Sequence, residues 1–376
     1  MKSALFIICF LISGIALCQV TFIINKLPDD HNYNNNIYIS GDFEGWSGGK
    51  EQYKLEQDKT SYFITIPRFS ESIKFKFTLG SWEAVECDVN GNIIENRFYD
   101  FYKSQDSVNV QIINWSDSKS IANKSTSTYN VHIFSEGFKM PQLKRERKIW
   151  IYLPPNYENS KKTFPVLYLQ DGQNMFDDAT SFAGEWQIDE TLNELSKSKR
   201  LNLIVVAIEN GGEKRLSEYS PWENKKYGIA EGEAYVEFIV HTLKPAIDQA
   251  YRTKTAGNHT AIMGSSMGGL ISHYAGLKYP KVFGKVGVFS PSFWYADEIY
   301  NFTKTHSDLK YVKLYYLVGD EESIDMVQNT ESMMEIMKRN GFSKKNLFLK
   351  VVPKGTHGES LWRAEFEEAI RWLFEK

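Results

Sequence analysis

Residues 260–279 read TAIMGSSMGGLISHYAGLKY: a β-forming run, then Gly264-Ser265-Ser266-Met267-Gly268, then a stretch with helical spacing. The order of strand, G-x-S-x-G and helix carries more information than the five residues alone. In that context a sharp bend lifts the central serine above the edge of a sheet. Residues two before and two after it must be small, because strand and helix approach each other there. The reading makes Ser266 a candidate nucleophile and predicts an α/β fold around it. The plainer alternative is a glycine-rich turn holding an ordinary pair of serines.

A serine hydroxyl attacks poorly at neutral pH, so a base must take its proton and an acid must hold that base in the right tautomer. His357 suits the role of base, since it lies in KGTHGESLW, just after the strand-like LFLKVV (347–352) and before a final helix. His31, His132, His241, His259, His273 and His306 lack that loop position. For the acid, the run Gly319-Asp320-Glu321-Glu322-Ser323-Ile324-Asp325 follows LYYLV and keeps the chain order serine, acid, histidine. Three residues past a strand-ending glycine is the usual place in folds of this kind. That favours Glu322, with Asp320 second and Asp325 third. An oxyanion hole needs two backbone N–H groups. Met267, after the serine, offers one, and Gly172 or Gln173 in VLYLQDGQNMFDD (166–178) the other. Asp171, Asp177 and Asp178 do not form a twelve-residue oxygen-ligand loop, so neither metal nor other cofactor is expected.

Outward from this centre, KIWIYL (148–153), VLYLQ (166–170), LIVVAI (203–208), KVGVFS (285–290), LYYLVG (314–319) and LFLKVV (347–352) alternate with helical stretches. One of these, 232–251, carries apolar residues mostly three and four apart. Alternation of this kind predicts a largely parallel sheet with helices on both faces. Earlier in the chain, VTFII (20–24), IYIS (37–40), YFITI (62–66), IKFKFTL (73–79) and VNVQII (108–113) are short β-runs between turn residues, the spacing of a small all-β, immunoglobulin-like sandwich. The polar stretch SDSKSIANKSTST between Trp115 and Tyr129 separates the two. The expected organisation is a leader over 1–18, a sandwich over 19–115, a linker over 116–129 and the catalytic domain over 130–376.

The leader reading rests on Lys2, the apolar run Ala4–Leu17 and the small residue Ala16 ahead of a cut before Gln19. It predicts a secreted or periplasmic protein with no membrane span; acylation of Cys18 is the alternative, disfavoured by the bulky Leu17. Cys9 and Cys18 leave with the leader, so Cys87 alone remains and no disulfide framework is available. The 376 residues, 42% hydrophobic, suffice for a core, and 44 Lys plus Arg against 47 Asp plus Glu give a net charge of −3. Without a basic run to neutralise phosphates, nucleic acid is excluded as a partner.

LYLQDGQNMFD, the Asn210–Trp222 stretch NGGEKRLSEYSPW, GSSMGGLISHYAGLKYP and THGESLW together resemble the esterase family that includes esterase D, siderophore trilactone esterases and acetyl and feruloyl carbohydrate esterases. The resemblance runs from about Val131 to the C-terminus. It implies an α/β-hydrolase fold, a serine carboxylic ester hydrolase needing no metal, and a pocket lined or braced by Arg215, Glu218, Tyr219 and Trp222. Asp171-Gly172 is similar to the siderophore branch, and the His-Gly-rich loop of many feruloyl esterases is missing, so the substrate is copied from neither. The segment before the linker resembles starch- and glycogen-binding modules of carbohydrate-binding families 20 and 48. That implies Trp46 and Trp82 as a stacking platform for an α-glucan, with Asn90 and Asn92 as hydrogen-bonding partners, and a polysaccharide or small-molecule ester as substrate. Two rivals stay open: a small-ester or trilactone hydrolase with a purely structural sandwich, and a glycan-binding protein without turnover.

Overall fold

The computed structural model describes residues 19–376 apart from 60, 69, 90, 92–93, 95, 103–104, 117–124, 182–183, 199, 307–310, 324 and 376. The leader, Cys18, Asn90, Asn92 and most of the linker's first half therefore lie outside the described residues. The chain divides between 120 and 121 into two compact units. Among the described residues no helix is long and apolar enough to cross a membrane.

The first unit holds β1 (Gln19–Lys26), β2 (Tyr38–Gly41), β3 (Glu56–Asp58), β4 (Ser61–Pro67), β5 (Ser72–Thr78), β6 (Glu86–Cys87), β7 (Arg97–Asp100), β8 (Ser107–Gln111) and β9 (Asn114–Trp115). They form sheets ordered β3-β4-β1-β8, β2-β5-β7 and β6-β9. Alternation builds the interior: Val20, Phe22 and Ile24 of β1, Tyr62, Ile64 and Ile66 of β4, and Ile73, Phe75 and Phe77 of β5 point into one core. The β1–β8 pair is parallel, whereas its other neighbour β4 runs antiparallel. Trp46 and Trp82 stay out of this core and are half-buried, their rings 5.9 Å apart and tilted by 40°. The Trp82 indole N–H donates to the Trp46 carbonyl oxygen (2.8 Å).

In the second unit β10 (Val131–Met140), β11 (Arg145–Tyr152), β12 (Val166–Leu169), β13 (Ile204–Ile208), β14 (Thr260–Ser265), β15 (Lys285–Phe289), β16 (Lys313–Gly319) and β17 (Leu347–Val352) make one sheet, ordered β10-β11-β13-β12-β14-β15-β16-β17. β11 is antiparallel to both its neighbours and every later pair is parallel. The helices are α1 (Ile188–Lys197), α2 (Arg215–Glu218), α3 (Gly232–Phe238), α4 (Lys244–Ala250), α5 (Met267–Lys278), α6 (Glu298–Thr305), α7 (Met326–Arg339) and α8 (Glu359–Glu375). A π turn, Ile239–Leu243, joins α3 to α4, so the single helix expected over 232–251 is interrupted mid-way. Two apolar clusters cover the sheet, one including α5 and the α3–α4 run, the other α1 and α8. This is an α/β-hydrolase fold. Strand order reverses at β12–β14, and ligands of open parallel sheets bind beyond the strand ends at such a switch point.

His273, on α5 about two turns past Ser266, is sealed in the core. Its Nδ1 lies 2.7 Å from the Tyr316 hydroxyl and its Nε2 2.9 Å from that of Thr303, and burial pulls its pKa down to about 3. The unfolded chain binds a proton there below about pH 6.5, the fold only near 3. The stability linked to neutral His273 is thus complete above pH 6.5 and lost as pH falls towards 3, by about 2 kcal/mol at pH 5. Denaturant unfolding should show the difference between pH 7 and pH 5 shrinking by about that amount in His273→Gln. An unchanged difference would mean another group carries the acid sensitivity.

Candidate active site

Ser266 follows β14 directly and precedes α5, with φ 58° and ψ −121°. An L-residue rarely adopts such angles, so the bend is strained by an amount on the order of 1–3 kcal/mol and persists because its surroundings hold it. Its N–H donates to the Phe289 carbonyl oxygen (2.9 Å), and its own carbonyl oxygen accepts from Gly269, Leu270 and Ser292. The two flanking glycines sit in close contact, Gly264 the more tightly. A Cβ on Gly264 would sit 2.8 Å from the Gly268 backbone and 2.7 Å from the Gln170 side chain, and one on Gly268 would press on Gln170 and Asp171.

Glu322 is buried three residues past β16, and its carboxylate is fully engaged. Oε1 accepts from the Ser290 hydroxyl (2.7 Å) and the Gly319 N–H (2.6 Å), and Oε2 lies 2.7 Å from Nδ1 of His357. Burial alone would raise its pKa, but the hydrogen bond and charge of His357, with the Gly319 and Ser290 donors, outweigh it and hold the carboxyl below its ordinary value. His357 stands in the loop after β17 with its ring edge against Trp362, 5.1 Å between centroids, and its side chain is 29% exposed, enough to meet a ligand. Asp320 and Asp325 are exposed instead; Asp320 Oδ1 accepts the Lys354 N–H, and the Asp325 carbonyl oxygen accepts the Asn329 N–H (2.8 Å) in the first turn of α7.

Residues 289–292, at the end of β15 and just after it, join the two halves, and the motif reading did not foresee them. Ser292 Oγ is 3.2 Å from Ser266 Oγ, while Ser290 Oγ links Glu322 to the indole N–H of Trp362 (2.8 Å). Ser290 also has positive φ (44°). The signal was available in Ser290-Pro291-Ser292 directly after a buried strand.

The loop after β12 is the second side of the site. Gln170 donates its N–H to Met263 of β14, and Gly172–Asn174 form a 3₁₀ turn packed so closely on β13 that a Cβ on Gly172 would meet the Ala207 and Ile208 backbone at 2.8 Å. Asp171 opens that turn in the left-handed region (φ 55°) and is clamped there. Arg215 binds it through two hydrogen bonds (2.6 and 2.9 Å), Asn210 through one (2.8 Å), and the Tyr219 hydroxyl takes its N–H (3.1 Å). Burial opposes the Arg215 charge, but Asp171 more than offsets this and its pKa is raised.

Of the residues expected to line or brace the pocket, Tyr219 is 0% exposed, with its hydroxyl accepting the Asp171 N–H. Arg215 pairs with Asp171, Glu218 is buried between Arg145 and Arg147, and Trp222 packs edge-on against Tyr274 and Phe302. Short buried aromatic–charged stretches read alike as pocket lining or as support, because burial is a property of the fold and not of the local sequence.

A family model described as "Putative esterase" matches residues 140–373. An uncharacterized protein of Bacillus subtilis, YbbA, is 28% identical over 243 residues, 61% of this chain and 93% of its own length. The endo-1,4-beta-xylanase/feruloyl esterase of Xylanibacter ruminicola is 26% identical over 230 residues, which is 60% of this chain and 29% of that protein. The solved structure of enterochelin esterase from Shigella flexneri is similar over 95% of this chain and 92% of its own, with a TM-score of 0.56 at 14% identity, a likeness of fold. With well over half its length matched by the family model, and with the sheet order and serine bend described above, the chain belongs to this esterase family of the α/β-hydrolase fold.

Proposed function

We propose that the chain is an exported serine esterase acting on a carbohydrate ester, acetyl or feruloyl. Ser266 Oγ attacks the ester carbonyl while His357 takes its proton, and Glu322 fixes the imidazole tautomer. The N–H groups of Met267 and of the Gly172-Gln173 turn stabilise the tetrahedral oxyanion. His357 returns the proton to the leaving alcohol, and a water, activated in the same way, releases the acid. The observation that carries this is the buried carboxylate at 2.7 Å from His357 Nδ1, joined through the 289–292 loop to a serine on a strained bend. The leader-like residues 1–18 support export.

The carbohydrate assignment is supported by the feruloyl esterase relative and by the half-buried Trp46–Trp82 pair, apolar faces of the kind a sugar ring stacks on. In this reading the segment 19–115 is a glycan-binding module, with Asn90 and Asn92 as hydrogen-bonding partners of the sugar, followed by a linker to 129. One observation favours a second reading, a siderophore trilactone hydrolase with a structural sandwich: the likeness to enterochelin esterase extends over 95% of the chain and so includes the first unit.

Rates on acetylated xylan, feruloylated xylan and a catecholate trilactone separate the two. A preference of about tenfold or more in kcat/KM for a xylan ester is expected, together with retention on insoluble starch that Trp46→Ala and Trp82→Ala abolish. A preference for the trilactone with no starch retention would replace the first reading by the second.

A further inference from the structure

Where α1 begins, three carboxylates converge. Glu185 and Asp189 are 1% and 0% exposed, Glu190 is half-buried, and one oxygen from each lies within 4.8 Å of the other two. Asp189 Oδ2 accepts the Thr128 N–H (2.7 Å). Glu185 Oε2, Asp189 Oδ1 and Glu190 Oε2 are buried without any hydrogen-bond partner. Arg363 reaches this segment, yet its Nη1 donates to the main-chain carbonyl oxygen of Glu185 (3.0 Å).

Acidic residues in the first turn of a helix are commonplace, since they face the positive end of its dipole. That accounts for exposed carboxylates near free N–H groups. It does not account for three oxygens sealed from water and left orphaned, each of which costs on the order of 1–3 kcal/mol or more. Nor can three neighbouring carboxylates all stay ionised in a dry site unless a proton or a cation neutralises them. The compensation has a definite chemistry. All donors are hard oxygens, with no imidazole or thiolate among them, which selects a hard divalent cation. Calcium–oxygen bonds of roughly 2.3–2.6 Å put ligands on opposite sides of one ion about 4.8 Å apart, so three oxygens within that span fit a single ion. Magnesium asks for a regular octahedron and keeps its waters, a poor match to an irregular buried trio.

We propose that Glu185, Asp189 and Glu190 form a structural calcium site. Its place in the fold gives it a consequence. Between these ligands and the β12 loop, Trp186 N–H donates to the Asn174 carbonyl oxygen (2.8 Å) and Ile188 N–H to that of Met175 (3.2 Å). A calcium ion here ties the start of α1 to the same 3₁₀ turn that carries Gly172 and Gln173. The site does not touch Ser266, His357 or Glu322, and it is independent of which ester is cleaved.

The test uses the full chain after treatment with a chelator. Terbium replaces calcium in oxygen sites and is sensitised by a nearby indole, here Trp186, adjacent to Glu185 in the chain. Saturable terbium emission that calcium displaces is expected, with a rise in Tm of about 5 °C or more at saturating calcium. The calcium affinity read from either signal should fall by about tenfold or more in Asp189→Asn and in Glu190→Gln. Glu190→Gln, at the half-buried position, serves if Asp189→Asn fails to fold. A Tm that ignores calcium, or a calcium response unchanged in Glu190→Gln, would overturn the proposal. So would a Glu190→Gln protein that reaches the calcium-bound Tm with no cation, since the carboxylates would then be sharing a proton.

Discussion

Ser266→Ala should lose ester hydrolysis by a factor of roughly 10⁶ in kcat, the scale at which a catalytic serine acts as one unit with its base. Labelling by a fluorophosphonate should vanish with it, while the fold stays intact. The reason is local: the Ser266 bend is held by backbone bonds to Phe289, Gly269, Leu270 and Ser292, none of which uses the hydroxyl. The side-chain bond lost is the 3.2 Å contact with Ser292, which is only part-buried and small in energy. A companion variant reads the strain. Ser266→Gly should melt higher than Ser266→Ala, by about 1 kcal/mol of stability, because glycine accepts a φ of 58° that any Cβ resists. Folded wild type that takes up no fluorophosphonate would favour the glycan-binding reading without turnover. Equal melting of the two variants would show that the bend stores no strain.

Much of this site is legible in the sequence because its parts obey short-range rules. A bend that brings strand and helix within contact demands small residues at fixed offsets, and Gly264 and Gly268 announce it. Of the parallel strands, β12, β13 and β14 are buried throughout and β15 and β16 beyond their first residue, so all five appear as apolar runs. β10 has no such mark: Val131–Met140 lies at the sheet edge with most residues partly exposed, and its pairing with β11 is set by tertiary contact. Likewise β3, β6, β7 and β9 are two to four residues long, too short for a period of two to register. Whether Arg215 and Tyr219 line or brace the pocket stays open in the sequence for a related reason. Asp171 lies 44 and 48 residues before them, and a clamp across that distance exists only once β12 and β13 are side by side. The Glu185–Asp189–Glu190 cluster was hidden by looking ordinary, since acidic residues open many helices.

The choice among the carboxylates after β16 yields the second large effect. Glu322→Gln should lower kcat by about 10⁴-fold with little change in KM. Gln is close to isosteric, and its amide oxygen can still accept from the Ser290 hydroxyl and the Gly319 N–H, the two donors now on Oε1. The amide NH₂ then faces His357 Nδ1, where Oε2 now lies at 2.7 Å. Two donors cannot share that contact, so the imidazole must place its proton on Nε2 and loses the lone pair that would take the proton of Ser266. The fold keeps its shape; the base is in the wrong tautomer. Asp320→Asn and Asp325→Asn should stay within about twofold of wild type, because both side chains are exposed and the contact with the imidazole's Nδ1 is made by Glu322. Initial rates on a chromogenic acetate ester at about pH 7 to 8 suffice to rank the three. If Glu322→Gln kept activity within about tenfold of wild type while Asp320→Asn lost it, the orienting acid would be Asp320. His357 would then have to leave the 2.7 Å contact it now makes, and the buried carboxylate, with three donors and no role in turnover, would be a structural anchor for the loop after β16.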